Sequence, residues 1–424
     1  MPRKSLILSA ITLIVIPGFV ATAGPAFAAG KEKVLYSFWC SPRGCPGDEL
    51  WGGGVIFDAT GNLYGVTYQG GAYEQGAVFE LMPGADGAWT EKTLHSFGNH
   101  DDGDGPWGPL VFDAAGNLYG ITVSGGGAYS LGVAFQLTPG ADGRWTEKVL
   151  HSFRDGRDGA EPWAGLLVDA AGNLYGTTVL GGAYNEGCNS YGCGTAFELS
   201  PSRDGRWTER VIHSFRNNGK DGFAPAASLT MDQVGNLYGT ASGGRCGCGI
   251  VFQLTPSKNG HWQERVIHSF DINGGEFPTW NLTFDAAGNL YGTTVGGGAF
   301  GNGTVFRLVP SSNGKWKEEL LRSFHRERIA YGGVIIDAAG NLYAATWTGG
   351  SYGSGTVFEL SPGANGKWTE TTLHSFDGTD GSAPTGSLIF DSAGNVYGTT
   401  QYGGRIHDQY CGGFGCGVVY EVTP

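Results

Sequence analysis

Residues 113–122 read DAAGNLYGIT, and the string D-x-x-G-N-[LV]-Y that opens them also starts at Asp58, Asp169, Asp232, Asp285, Asp337 and Asp391. Seven copies spaced 52 to 63 residues apart make this a tandem-repeat protein. Working outward from one copy gives the repeating unit. Leu110-Val111-Phe112 is a short apolar strand. Asp113 to Asn117 is a tight turn, with Gly116 where positive φ is needed. A second strand runs from Asn117 to Thr122, and a glycine-rich loop leads to a third, Val133 to Leu137. Pro139 to Gly143 turns the chain into a fourth strand, Trp145 to Phe153, along which Trp145, Glu147, Val149, His151 and Phe153 share one face. Four-stranded units of this length in series are the pattern of a β-propeller.

The two ends of the sequence complement each other. The seventh unit stops at Pro424, just after its third strand, Gly417 to Val422. Near the other end, Lys33-Val34-Leu35-Tyr36-Ser37-Phe38 matches the fourth strand Lys148-Val149-Leu150-His151-Ser152-Phe153. The expected fold is therefore all-β: a seven-bladed β-propeller of four-stranded blades over residues 31–424, its ring closed by the N-terminal strand completing the last blade. Closure removes the exposed sheet edges of an open array.

Composition agrees. Of 424 residues 77 are glycine, which disfavours long helices, and the absence of a G-X-Y period excludes collagen. Aromatics at 12% against only 15% charged residues are the reverse of a disordered chain. The formal net charge of −13 argues against a nucleic-acid partner. Residues 1–28 read as a signal peptide: basic Arg3 and Lys4, an apolar run from Leu6 to Val20, then Ala26-Phe27-Ala28. The run is broken at Pro17-Gly18, too short for a membrane span, and no other such stretch follows. We expect a secreted or periplasmic monomer with no transmembrane segment in its mature form.

The eight cysteines fall into four local pairs, Cys40/Cys45, Cys188/Cys193, Cys246/Cys248 and Cys411/Cys416. An even count in an exported chain suggests disulfides, and the C-x2-C spacing usual for zinc is absent. A ring closed by Cys246 and Cys248 is strained, so bridges from these two to Cys188 or Cys193 are an alternative.

The pattern G-N-L-Y-G-T-T, then G-G, then G-T-V-F-E-L resembles the tandem repeat of the choice-of-anchor, GloVer-repeat-containing bacterial proteins. The resemblance covers nearly the whole of the sequence after the signal peptide. It implies a repeat protein with varied cell-surface anchors and carries no catalytic residue. Because the sequence ends inside the repeat array, we expect release rather than anchoring.

Comparing the repeats with each other locates the variable face. The D-x-x-G-N and P-x-x-x-G-x-W turns are nearly uniform and fall at one end of an up-and-down blade. The loops joining strands two and three, and blade to blade, vary and fall at the other end, where function on a propeller is expected. These loops carry Trp51, Trp107, Trp163, Tyr331, Trp347 and Tyr402, the candidate ligand-binding residues. Trp107, Trp163 and Tyr331 are equivalent, Trp51 and Trp280 stand one residue out of register, and Ala226, Thr279 and Thr385 fill the position elsewhere. Such aromatics either plug the mouth of the axial channel or form a stacking platform for sugar rings.

Candidate chemistry is sparser. His95, His151, His213, His268 and His374 hold one repeat position, with Tyr36 and Arg322 in the other two, which marks them as structural groups between blades. Two loops depart most from the repeat, and they supply the catalytic candidates His407, Tyr410, Arg405, His325 and Arg326. A His with Tyr and Arg suits proton abstraction beside a carboxylate, so an extracellular polysaccharide lyase or hydrolase is the alternative to a binding protein. The turns Asp101-x-x-Asp104-Gly105, Asp155-x-x-Asp158-Gly159, Asn218-x-x-Asp221-Gly222 and Asp377-x-x-Asp380-Gly381 offer the hard oxygens that calcium takes, but Asp and Asn before Gly are also ordinary turn formers. We expect no cofactor and binding rather than catalysis. The closure expectation has a direct check: deleting Lys31 to Phe38 should lower the melting temperature steeply, and an unchanged melting curve would show that the ends do not pair.

Overall fold

The computed structural model describes residues 30–40, 45–99, 101–154, 156–188, 190–325, 329–405, 411 and 413–424. Among them there is no α-helix. Seven antiparallel four-stranded sheets, here blades I to VII, follow one another. Blade II is representative, with strands Asp104–Phe112, Leu118–Ser124, Val133–Pro139 and Trp145–Ser152 hydrogen-bonded in chain order. Blade VII takes Ser382–Phe390, Val396–Tyr402 and Val418–Thr423 from the end of the chain and Lys31–Ser37 from its beginning. Lys31 pairs with Thr423 and Ser37 with Val418, so the N-terminal strand completes the last blade. Blade IV carries an additional short strand, Gly222–Phe223, beside its second strand.

The uniform turn is held by its own side chains. Asp113 Oδ1 accepts the backbone N–H groups of Ala115 and Asn117, and Oδ2 accepts Asn117 Nδ2 and the Tyr119 hydroxyl, at 2.7 to 2.9 Å. Gly116 has φ of 83° with nothing within 4 Å of an added Cβ, so backbone conformation alone selects glycine. All seven turns repeat the aspartate–tyrosine bond. Partial burial opposes ionisation of Asp113, but the bonds from Asn117, Tyr119 and Ala115 hold its carboxyl below the usual range.

Blades are joined by aromatic rings. The phenylalanine ending each fourth strand packs, mostly edge to face, on the third-strand aromatic of the next blade. Phe97 meets Phe135 at 4.9 Å, Phe153 meets Phe197 at 5.2 Å, and Phe376 meets Tyr420 at 4.9 Å. Phe38 meets Phe79 at 5.0 Å and so joins blade VII back to blade I. A second-strand glycine makes room: a Cβ on Gly120 would lie 2.5 Å from the Phe135 ring. Only blade VI has alanine there, Ala344, and its Phe324–Phe358 contact is the longest of the seven at 5.5 Å.

Polar groups line the same interfaces. His95, His151, His213 and His374 pair through Nε2 with Asp102, Asp158, Asp221 and Asp380, at 2.8 to 3.3 Å. The other oxygen of Asp102, Asp158 and Asp380 accepts a backbone N–H of the intervening turn. These aspartates therefore serve as turn and histidine partners. In the first turn Asp102 holds this place, and Asp104 begins the next strand. His268 instead meets Glu318, and Arg322 meets Glu370. A fourth-strand glutamate of the following blade completes several interfaces: Glu147 faces Asp102, Glu209 faces Asp158, Glu264 faces Asp221 and His213, and Glu32 faces His374, Asp380 and Asp377.

Disulfides join Cys40 to Cys45, Cys188 to Cys193, Cys246 to Cys248, and Cys411 to Cys416. The alternative of bridges from Cys246 or Cys248 to the preceding repeat is overturned. Gly247 between them has φ of 81° and open space around it, which lets the chain reverse within one residue.

Burial first, and the adjacent aspartates second, push the carboxyls of Glu147, Glu209 and Glu264 up to about 7. Burial does the same for Glu32, against the opposing His374. A raised carboxyl stabilises the fold below its ordinary pKa, and that contribution is lost as pH rises through 7. The melting temperature should therefore fall between pH 5.5 and pH 8, with a shallower slope in the double variant Glu147→Gln, Glu209→Gln. A flat or rising profile in the parent protein would show these carboxyls ionise freely in the fold.

Candidate functional site

In a four-stranded up-and-down blade, the loops before the first strand and after the second lie at one end. There they enclose a cavity of about 580 Å³ whose lining comes from all seven blades. Lining residues run from Trp51 and Gly52 of blade I, through Trp107, Trp163, Ser228, Trp280 and Tyr331, to Ser387 of blade VII, so the cavity sits on the ring axis.

Its wall is an arc of indoles. Trp51 and Trp107 lie 5.5 Å apart with planes at 33°, and Trp107 and Trp163 lie 5.6 Å apart at 39°. Tyr68 stands edge-on to Trp107 at 5.7 Å. Blades V and VI add a second group: Trp280 meets Tyr331 at 4.5 Å, and Trp347 backs Tyr331 at 5.8 Å. Trp163 is 42% exposed, so the arc ends at an accessible face. Burial raises the Tyr331 hydroxyl above the usual phenol range.

The axis itself is bridged. Positions four residues before each repeat aspartate are Gly54, Pro109, Gly165, Ser228, Asn281, Gly333 and Ser387. Asn281 Oδ1 accepts the Ser228 N–H at 2.9 Å, and Asn281 Nδ2 donates to Ser387 Oγ at 3.3 Å, two blades away. Small residues elsewhere let the strands converge: a Cβ on Gly108 would lie 2.5 Å from the Gly165 nitrogen.

Polar groups on the wall are few. Glu49 is the only charged lining residue among the described residues, and its carboxylate accepts Trp51 Nε1 at 2.9 Å and Gln69 Nε2 at 3.4 Å. Ser228 Oγ and Trp280 Nε1 are buried polar atoms without a hydrogen-bond partner.

Trp51, Trp107, Trp163 and Tyr331 thus come together on this cavity, as does Trp280, while Trp347 stands behind Tyr331. Tyr402 is not in the lining and lies 6.1 Å from Phe414. Thr385, at the repeat position of Trp107, turns inward to donate to the Leu50 carbonyl at 2.8 Å. Of the catalytic candidates, Arg326, His407 and Tyr410 lie outside the described residues. His325 stacks on Phe300 with centroids 3.7 Å apart, and Arg405 lies over Trp39 at 5.8 Å. Neither lines the axial cavity. Sequence comparison missed Glu49, Phe277 and the polar bridge of Asn281. The available signal was the small-residue position four before each repeat aspartate, where Asn281 is the one long side chain.

A family model described as the Gloeobacter/Verrucomicrobia repeat matches residues 26–189 and again 189–331. The chain belongs to this repeat family. The matched residues hold blades I to V and the N-terminal strand that completes blade VII. No curated protein matches the chain. Among the described residues, no helix is long and apolar enough to cross a membrane.

Proposed function

We propose that this repeat propeller is an extracellular binding protein whose axial cavity takes a neutral carbohydrate, and that it is exported after removal of residues 1–28. The arc of Trp51, Trp107 and Trp163 carries the reading. Three indoles on consecutive blades present apolar faces to flat rings, and polar edges remain nearby on Trp280, Ser228 and Glu49. With no cation among the described lining residues, uronic acids are disfavoured relative to neutral sugars. Paired disulfides suit an oxidising compartment. The polysaccharide-cleaving alternative draws no specific observation from the described residues.

The test is titration of neutral and uronic oligosaccharides, followed by tryptophan fluorescence and calorimetry, on the parent protein and on Trp107→Ala and Trp163→Ala variants of unchanged melting temperature. Neutral sugars should bind, and each variant should weaken binding by roughly tenfold or more, the scale of a lost anchoring aromatic. Equal binding by parent and variants would remove the platform. Preference for uronic acids would overturn the ligand class.

A further inference from the structure

The ring is closed by one pair of strands, Lys31–Ser37 against Val418–Thr423, and four cysteines stand where that pair ends. Ser37 is opposite Val418, and the next backbone bond runs from Phe38 N–H to the Gly417 carbonyl at 3.0 Å. Extending that register puts Cys40 one residue past the position opposite Cys416. Cys40, Cys45, Cys411 and Cys416 are all buried in one apolar cluster at this seam. The Cys416 sulfur lies 3.8 Å from the Cys40 sulfur, and the Sγ atoms of Cys40, Cys411 and Cys416 all fall within 4.8 Å of one another. The other two cystines are arranged differently: Cys193 and Cys248 belong to separate core clusters.

We propose that these four cysteines form a single thiol–disulfide exchange site, whose product is a Cys40–Cys416 cystine locking the first strand to the last. The two local cystines each span a separation of 5 residues, whereas a Cys40–Cys416 bond spans 376. A bond closing the longer loop restricts the unfolded chain far more, so it favours the closed ring. The exchange is redox-neutral. The thiolate of a small-molecule thiol such as glutathione attacks Cys45 Sγ, the Cys40–Cys45 bond breaks, and Cys40 leaves as a thiolate. That thiolate attacks the neighbouring Cys416 Sγ, and Cys411 leaves as a thiolate. Cys411 then attacks Cys45 Sγ and expels the small thiol. Two disulfides exist before and after, and the catalyst is recovered.

The experiment incubates the full chain in a glutathione redox buffer, blocks free thiols, and maps disulfides by mass spectrometry without reduction. Cleavage at Arg43 and Phe414 separates all four cysteines onto different peptides. A Cys40–Cys416 linked pair should accumulate. Persistence of only Cys40–Cys45 and Cys411–Cys416 overturns the proposal. The double variant Cys45→Ser, Cys411→Ser isolates the step. Treated with oxidised glutathione, it should form the cross-seam bond and melt on the order of 5 °C above its own reduced form. Two alkylatable thiols, or an unchanged melting temperature, would also overturn it.

Discussion

The contact on which the rest of this molecule depends is a phenylalanine ring meeting the next blade's aromatic over a glycine. The ring contact recurs at all seven blade interfaces, from Phe38–Phe79 to Phe376–Tyr420, and lies over a glycine at six of them. A blade cannot bury its faces alone, so each must be covered by its neighbours. The ring edge needs close approach, and the second-strand glycine provides it by having no Cβ. Removing the side chain at one point thus allows a larger burial at another. The blade with Ala344 shows the constraint in relief, because its rings stand furthest apart.

Around this apolar contact the interfaces carry a second, polar one. A histidine ends one blade's face, an aspartate from the connecting turn meets it, and a glutamate from the next blade stands close by. The aspartate also holds the turn, so a single carboxylate joins loop conformation to blade docking. Repetition explains why these histidines are structural: a group used in the same way at four interfaces has no single site to serve. The variation is informative too, since Arg322–Glu370 and His268–Glu318 keep a polar contact while changing its members.

Much of the fold was legible because it follows local rules applied seven times. The Asp113–Tyr119 turn is specified by residues six apart, and the match of Lys33–Phe38 to Lys148–Phe153 located the missing strand. The cysteine pairing was misjudged between Cys246 and Cys248, where the conformational freedom of one glycine outweighed the expected strain. The aromatic candidates were identified from loop positions, and four of the six line the cavity. Tyr402 does not; its ring lies near Phe414, a relation that repeat alignment does not encode.

The sequence by itself determined the repeat, the number of blades and the closing strand. These are properties of periodicity and of turns, which are settled within a few residues. Only the tertiary structure decided that Trp51, Trp107 and Trp163 form one continuous arc, that Asn281 bridges the axis to Ser387, and that Cys40 and Cys416 meet at the seam. Each of those relations joins residues from different blades, so it depends on the angle and radius of the closed ring. That geometry is set by packing summed over all seven interfaces, and no single segment contains it.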